Sequence, residues 1–562
     1  MKTPPPLTST ANSPETPRRE EFDPAKGCQD PSTGMFGAFL MLAMVAAYAI
    51  FRADIIPNGG PQARNCLWLF PGKWGYEFIN RDYFDVLIVV LLGFAVMVTW
   101  EFLKSKPQRA ACFAVAFVGA AMAWAVAMGS QVFFDGITLV WLGWEWTRYE
   151  IVCALMFLAL LLMWLPPAGR WARTGAFKVK NPVPLAAKTA LFRWLAGLCL
   201  LTPVLIIFRA HPFYISNYYE NWRITISYIY LGYLLLGFPY GFVTNLLRNS
   251  RGEDRKDAGF LAMLFFRAVF RRIKGRKDSL RRVMKNKSTL VVLRDLGVKF
   301  FFVPLMTTFL FVECGGFFSN FPQFLKQLTE VLTNSGQYFG GAGIEGFIAL
   351  SGMFDRFYFS AFHAIFVMDV SLSLTGYVFS LRWLNNKSKS VDPSVTGWLA
   401  AIICYPPFNG ITTNYLPYNR GYGDSPYLMQ LATATASLNP DAPAVFMGMM
   451  DFTLKTITLL AFTVYVWATM AFGLRFSNLT NRGILARGPY AFIRHPAYIS
   501  KNFAWWAENI RNFASPWQFV FLAVWNYIYY LRALTEERHL LKDPDYVAYK
   551  KQVKYRFIPG VW

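Results

Sequence analysis

Apolar residues arrive in this chain in blocks of about twenty, and no other feature narrows the fold as much. A helix rises about 1.5 Å per residue, so each block crosses the ~30 Å hydrocarbon core of a bilayer. The interior of a soluble protein would spread its apolar positions at helical or strand spacing instead. The predicted spans are 35–52, 84–103, 110–128, 149–165, 189–208, 224–246, 295–315, 360–381, 395–411 and 452–474. A closing pair follows at 497–511 and 516–533. The expected class is all-α, a polytopic integral membrane protein with roughly 11–12 membrane helices.

A net charge of +23 would suit a nucleic-acid binder, but the distribution argues otherwise. Lysine and arginine concentrate in alternate connections: 104–106, 170–188, 248–294, 382–389 and 475–494. That alternation is the positive-inside pattern and places the N-terminus in the cytoplasm. The partner expected for this charge is anionic lipid, and no nucleic acid. The 248–294 loop is the longest and most basic of these connections. Its apolar Ala258–Phe270 stretch runs into Arg271-Arg272-Ile273-Lys274, as in a helix lying at the interface over anionic head groups. Residues 1–33, rich in proline, serine and threonine, read as a disordered cytoplasmic tail. They lack the basic run and cleavage site of a signal peptide, so the block from Met35 is read as a retained span. The seven cysteines show no metal or disulfide spacing, and no metal site is expected.

Chemistry concentrates near the C-terminus, in Leu485–Tyr498. Gly488-Pro489 breaks an incoming helix and His495-Pro496 keeps His495 out of the helical region. Arg494 and His495 are therefore expected on a short irregular connection at the membrane surface. Segment 497–511 is too short to span, which predicts a re-entrant helical hairpin with 516–533. On its helix, Lys501, Trp505 and Glu508 share one face, and Asn502, Trp506 and Asn509 the next. On the last helix Glu536 and Glu537 stand together, and Arg532 is spaced to pair with Glu536 at i,i+4. One such pair cannot satisfy both carboxylates, leaving one for hydroxyls, an ammonium or a sulfonium. The basic, aromatic tail 545–559 could fold back as a lid. Elsewhere Glu313, His363 and Asp369 are ionisable groups in apolar blocks, and Asp369 shares a face with Ser373 and Gly376 that could admit a polar head group.

The pattern Gly488-x-Tyr490-x-x-x-Arg494-His495-Pro496-x-Tyr498, followed by Glu536-Glu537 and a Tyr555-Arg556-Phe557-Ile558-Pro559 end, resembles the isoprenylcysteine carboxyl methyltransferase and phospholipid methyltransferase family. The resemblance covers only about residues 455–562. It implies S-adenosylmethionine in a cytosolic pocket and methyl transfer to a membrane lipid or lipidated substrate, by carboxylate O-methylation or amine N-methylation. Tyr490, Arg494, His495, Pro496, Tyr498, Glu536 and Glu537 would then line the cofactor site. Arg494, His495, Glu508 and Glu537 are the catalytic candidates, with a base needed only for an amine acceptor. Lys501, Trp505, Asn509 and Asp369 are candidates for substrate contact. Where the family commonly has glycine, this chain has Ser500 followed by Lys501. The expected organisation is the tail, a multi-span region of unknown role at 34–450, and a methyltransferase module at 451–562. Competing readings are an NADPH-dependent sterol-type reductase, whose Asn-x-Arg-x-Pro-like signature is missing, and a transporter or scaffold with a degenerate module.

Overall fold

The computed structural model describes residues 31–55, 81–103, 105–128, 139–141, 144–146, 148–175, 178–215, 219–247, 258–275, 277–336, 343–380, 386–409, 425–435, 441–510 and 513–561. Most of the expected N-terminal tail, residues 56–80 of the loop 53–83 and much of the expected 409–450 connection lie outside them.

The chain is helical almost throughout. The first helices are α1 (Pro31–Ile55), α2 (Arg81–Phe102) and α3 (Lys106–Ala127). A small hairpin of β1 (Leu139–Trp141) and β2 (Trp144–Trp146) precedes α4 (Arg148–Met163), α5 (Leu165–Arg173), α6 (Val183–Ala210) and α7 (Glu220–Leu247). Next come α8 (Ala258–Ile273), α9 (Lys277–Met284), α10 (Lys287–Thr333) and α11 (Gly343–Val378). The C-terminal part holds β3 (Ser390–Val391), α12 (Val395–Ile402), α13 (Pro426–Ala434), α14 (Ala442–Phe472), β4 (Thr480–Asn481), α15 (Pro496–Ile510), α16 (Pro516–Leu540) and α17 (Pro544–Gln552). Nine helices among the described residues are long and apolar enough to cross a membrane.

The centre is built from α1, α10, α11 and α14. In α10 and α11, 61 % of the most apolar window is buried, against 17 % in α6 and 6 % in α7. The α6–α7 hairpin is thus peripheral, holding a small cluster of its own around Phe208 and Trp222. Where both sides of a contact are apolar, lipid competes well with protein, so polar fastenings help to set register. His363 on α11 meets Glu313 on α10 at 2.8 Å, and Arg356 meets Asn320 at 3.2 Å. These pairs make the two helices antiparallel. Asp369 accepts from Thr469 at 2.6 Å and Tyr465 at 2.9 Å, while Lys455 bridges Asp355 and Asp451. These pairs make α11 and α14 parallel.

Parallel neighbours require the chain to return across the molecule between them. The sequence predicts a membrane helix at 395–411 for that return. The structure instead has only the eight-residue α12, then turns through Cys404-Tyr405-Pro406-Pro407. Pro406-Pro407 cannot continue a helix, and irregular backbone is tolerated at depth where protein covers it. Here α12 lies against α16. Two other expectations shift at their ends. The span predicted at 295–315 belongs to a helix of 47 residues, about 70 Å long, that runs on to Thr333. Its extension is packed by Phe317 on Phe321 and Phe324 on Phe357, contacts that outweigh the helix-weakening Gly315-Gly316 and Pro322. The span predicted at 360–381 begins at Gly343.

The C-terminal part is fastened to the rest by polar contacts. β3 pairs antiparallel with β4, Asn386 donates to Leu474 O, and Arg482 donates to Gly376 O and Ser380 Oγ. A Cβ at Gly376 would stand 2.5 Å from Phe476 O, so only glycine allows this close crossing. The division expected at 450–451 falls inside α14.

Candidate active site

Tyr498 on α15 reaches Glu536 on α16, while Trp505 stacks near Trp525. The partners descend as the chain ascends, so the two helices form the expected antiparallel hairpin. Residues 488–495 form the irregular connection that the two prolines predict. Gly488 sits at φ 58°, where a side chain would be strained. The backbone here is satisfied by the tail: Arg494 N donates to Tyr555 O and His495 N to Arg556 O, both at 3.0 Å.

Arg494 continues this clamp. Its Nη1 donates to the carbonyls of Val553 and Lys554, and its Nε to Glu537 at 2.9 Å. Glu537 is 2 % exposed and also accepts from Arg556 at 3.0 and 3.1 Å, with His495 Nε2 at 3.3 Å and Lys550 at 3.5 Å. Burial pushes its carboxyl up, but the hydrogen bonds from His495, Arg556 and Arg494 outweigh burial and hold it well below the usual carboxylate range. Glu537 is therefore the knot that ties the tail to the hairpin. Ile484, Tyr546, Tyr549 and Val553 pack beneath it, and Tyr549 donates to Tyr490 O at 2.8 Å.

Its neighbour faces the other way. Glu536 lines a cavity of about 80 Å³ with Tyr490, Arg494, His495, Tyr498 and Lys501. Glu536 accepts the Tyr498 hydroxyl at 2.5 Å, the one bond recorded for its carboxylate among the described residues. The expected Arg532–Glu536 pair is not formed. Arg532 instead donates to Asn478 at 2.6 Å and lies over Tyr405, Tyr498 and Tyr529, 5.0–5.8 Å from each ring centre. Aromatic faces hold a guanidinium against the cavity wall without neutralising it.

Other candidates from the sequence sit elsewhere. Pro496 is buried at the start of α15, where its fixed φ suits the first turn. Trp505 packs on Trp525 and Tyr529, and Asn509 donates to Trp505 O within the helix. Glu508 lies seven residues beyond Lys501, about 10 Å further along α15, and is not part of the cavity wall. Asp369 accepts from Tyr465 and Thr469, which joins α11 to α14, and it is not among the residues of the cavity wall.

Arg532, Asn478, Tyr465 and Tyr405 were not legible as site residues. Only Arg532 carried a usable signal: Tyr529, Arg532 and Glu536 recur at helical spacing on one face. Tyr405 comes from a turn about 80 residues before the 488–495 connection and reaches the cavity only through tertiary packing.

The wall therefore offers a cation, a carboxylate with a spare oxygen and several tyrosine faces, a donor set that fits a zwitterion carrying a sulfonium. Comparison with known families adds a match over part of the chain. Residues 443–543 match the phospholipid methyltransferase family. The matched segment holds Asn478, Arg494, Arg532 and both glutamates, but neither Tyr405 nor the tail residues that clamp Arg494. It implies a membrane methyltransferase acting on lipid or lipidated substrates, in keeping with the nine long apolar helices. No curated protein and no solved structure matches the chain.

Proposed function

We propose that the protein transfers a methyl group from S-adenosylmethionine to a lipid or lipidated acceptor at the cytoplasmic face of a membrane. One observation carries this reading: Glu536, Arg532 and the tyrosine faces meet in one cavity, most of whose wall comes from the segment that matches the phospholipid methyltransferase family. When bound, S-adenosylmethionine supplies an electrophilic methyl on a sulfonium. Arg532 suits its carboxylate, Glu536 its ammonium or ribose hydroxyls, and the tyrosine rings its cationic sulfur. Charge is neutralised in such a displacement, so the protein acts chiefly by holding donor and acceptor at ~3–3.5 Å. Arg494, His495 and Glu537 act at one remove, fixing the tail and the connection that carry Tyr490 and Tyr498. The cytoplasmic assignment rests on the alternation of basic connections. The interfacial pair α8 and α9, with Arg271, Arg272, Arg281 and Arg282 in their last turns, suits anionic head groups.

The experiment is labelling of membranes with methyl-labelled S-adenosylmethionine, beside binding of S-adenosylhomocysteine and NADPH to purified protein. Wild type should bind S-adenosylhomocysteine, ignore NADPH and label a lipid fraction, and Glu536→Gln and Arg532→Met should weaken binding and lower the label together. Binding of NADPH alone would sink the proposal.

A further inference from the structure

We infer that the groove between α1, α3, α10 and α11 is a binding site for one anionic membrane lipid, remote from the Glu536 cavity and in the opposite leaflet. The groove encloses about 380 Å³ and is walled by rings of Phe39, Trp124, Phe317, Phe321, Phe324 and Phe357. Phe317 stacks on Phe321 at 4.7 Å and Phe324 packs on Phe357 at 5.5 Å. Protein contacts thus fix these rings before any ligand arrives.

One residue pattern shapes the space from two sides. Phe39, Ala43 and Ala46 on α1, and Phe357, Ala361 and Ala364 on α11, each place a ring and two alanines at i, i+4 and i+7, along one helix face. Gly34, near the start of α1, packs on Met470 O near the end of α14, so α1 runs antiparallel to α14 and to α11. The two phenylalanines therefore stand at opposite ends, and the four alanines hollow the middle. The one hydroxyl of the wall, on Ser360, donates to Arg356 O at 2.6 Å and leaves the groove apolar. Protein interiors pack as densely as organic crystals, so a space this large is a seat for hydrocarbon, and at this depth the hydrocarbon is lipid.

The rim supplies a head-group contact. Asn320 shares a face of α10 with Phe317 and Phe324, and Arg356 shares a face of α11 with Phe357 and Ser360. Arg356 donates to Asn320 at 3.2 Å, and among the described residues it forms no ion pair with a carboxylate. Asp355, its neighbour in sequence, is taken by Lys455. A guanidinium beside an apolar slot, held by a neutral amide, suits a phosphate. Its depth separates this lipid from the methyl acceptor. Arg356 precedes Gly376 by about twenty residues, roughly 30 Å of helix and one hydrocarbon thickness. Gly376 crosses Phe476, which lines the Glu536 cavity. The lipid's part is to wedge α1 and α3 against the α10–α11 pair.

The test is lipid retention by full-length protein, counted by native mass spectrometry after detergent exchange at high salt, where the exposed charges of α8 and α9 are screened. The probes are dioleoylphosphatidylglycerol, dioleoylphosphatidylcholine and short-chain dihexanoylphosphatidylglycerol, with inorganic phosphate as competitor. Wild type should retain one dioleoylphosphatidylglycerol about tenfold more tightly than either other lipid, as for a hydrogen bond to a charged group, and phosphate should not displace it. Arg356→Ala should abolish the head-group preference but keep the chain, and Arg356→Lys should keep most of both. Ala361→Phe and the milder Ala43→Leu, which fill the slot from opposite walls, should lose both long-chain lipids. A wild-type melting temperature in detergent without added lipid shows that a variant is folded. Equal retention of the glycerol and choline lipids by wild type, displacement by phosphate, an unchanged preference in Arg356→Ala, or wild-type retention in a folded slot-filling variant overturns the inference.

Discussion

Glu536 and Glu537 are adjacent in sequence and opposite in consequence, because successive helical positions differ by about 100° in direction. Glu537 faces Arg494, His495 and Arg556; Glu536 faces the cavity. Glu537→Gln leaves Arg494, Arg556 and Lys550 around a neutral amide. A loss of about 3–5 kcal/mol is expected, read as a lower melting temperature in detergent. Because the folded carboxyl titrates below its unfolded value, its stabilisation is full above the unfolded value of about 4.3 and is lost as pH falls further. Melting followed from pH 7 to pH 3 should show this acid limb in wild type and a flatter one in Glu537→Gln. Glu536→Gln should leave the stability within about 0.5 kcal/mol of wild type and weaken S-adenosylhomocysteine about tenfold, measured by calorimetry.

At the scale of elements, the C-terminal tail is part of the site. α17 and residues 553–557 hold the 488–495 connection through main-chain bonds to Arg494 and His495 and through Tyr549. A chain ending at Gln552 loses Arg556 and the carbonyls that Arg494 uses, leaving buried donors unpaired. Such a chain should be cleaved readily by protease near residues 484–495, and Tyr549→Phe, which loses one bond worth about 1 kcal/mol, should be only slightly more sensitive. Equal protection of the truncated and full chains would show that the clamp is dispensable. The hairpin and the Gly-Pro and His-Pro breaks were legible because proline acts through its own ring, with no help from the rest of the fold. The shortness of α12 was half legible: Pro406-Pro407 marked a stop, but hydropathy counts apolar residues whether they face lipid or cover a pocket.

At the scale of the whole molecule, the multi-span region supplies one wall of the cavity. Tyr405 stacks on Arg532 and receives a bond from Asn478, and β3, Asn386 and Gly376 hold the 473–482 connection in place. Tyr405→Ala in the full chain should weaken S-adenosylhomocysteine by roughly tenfold, the loss of a desolvated cation–π contact and a neighbouring bond, while leaving the melting temperature nearly unchanged. A fragment of residues 441–561 alone should fail to bind it at all. Binding by the fragment with wild-type affinity would show that the spans before it serve another purpose.

What the sequence by itself determined is local or additive. Twenty apolar residues demand a membrane, charge alternation orders the connections, proline breaks helices, and a family signature survives in about 100 contiguous positions. Tertiary structure decided everything that depends on direction and on distant partners. It chose which of two adjacent glutamates faces the cavity, gave Arg532 to Asn478 and three tyrosines instead of to Glu536, and set Asp369 to join helices. It also carried Glu508 out of reach and brought Tyr405 in. The physical reason is that a side chain's role follows from what surrounds it after folding. Spacing along one helix can propose those partners, but the packing of others against it selects them.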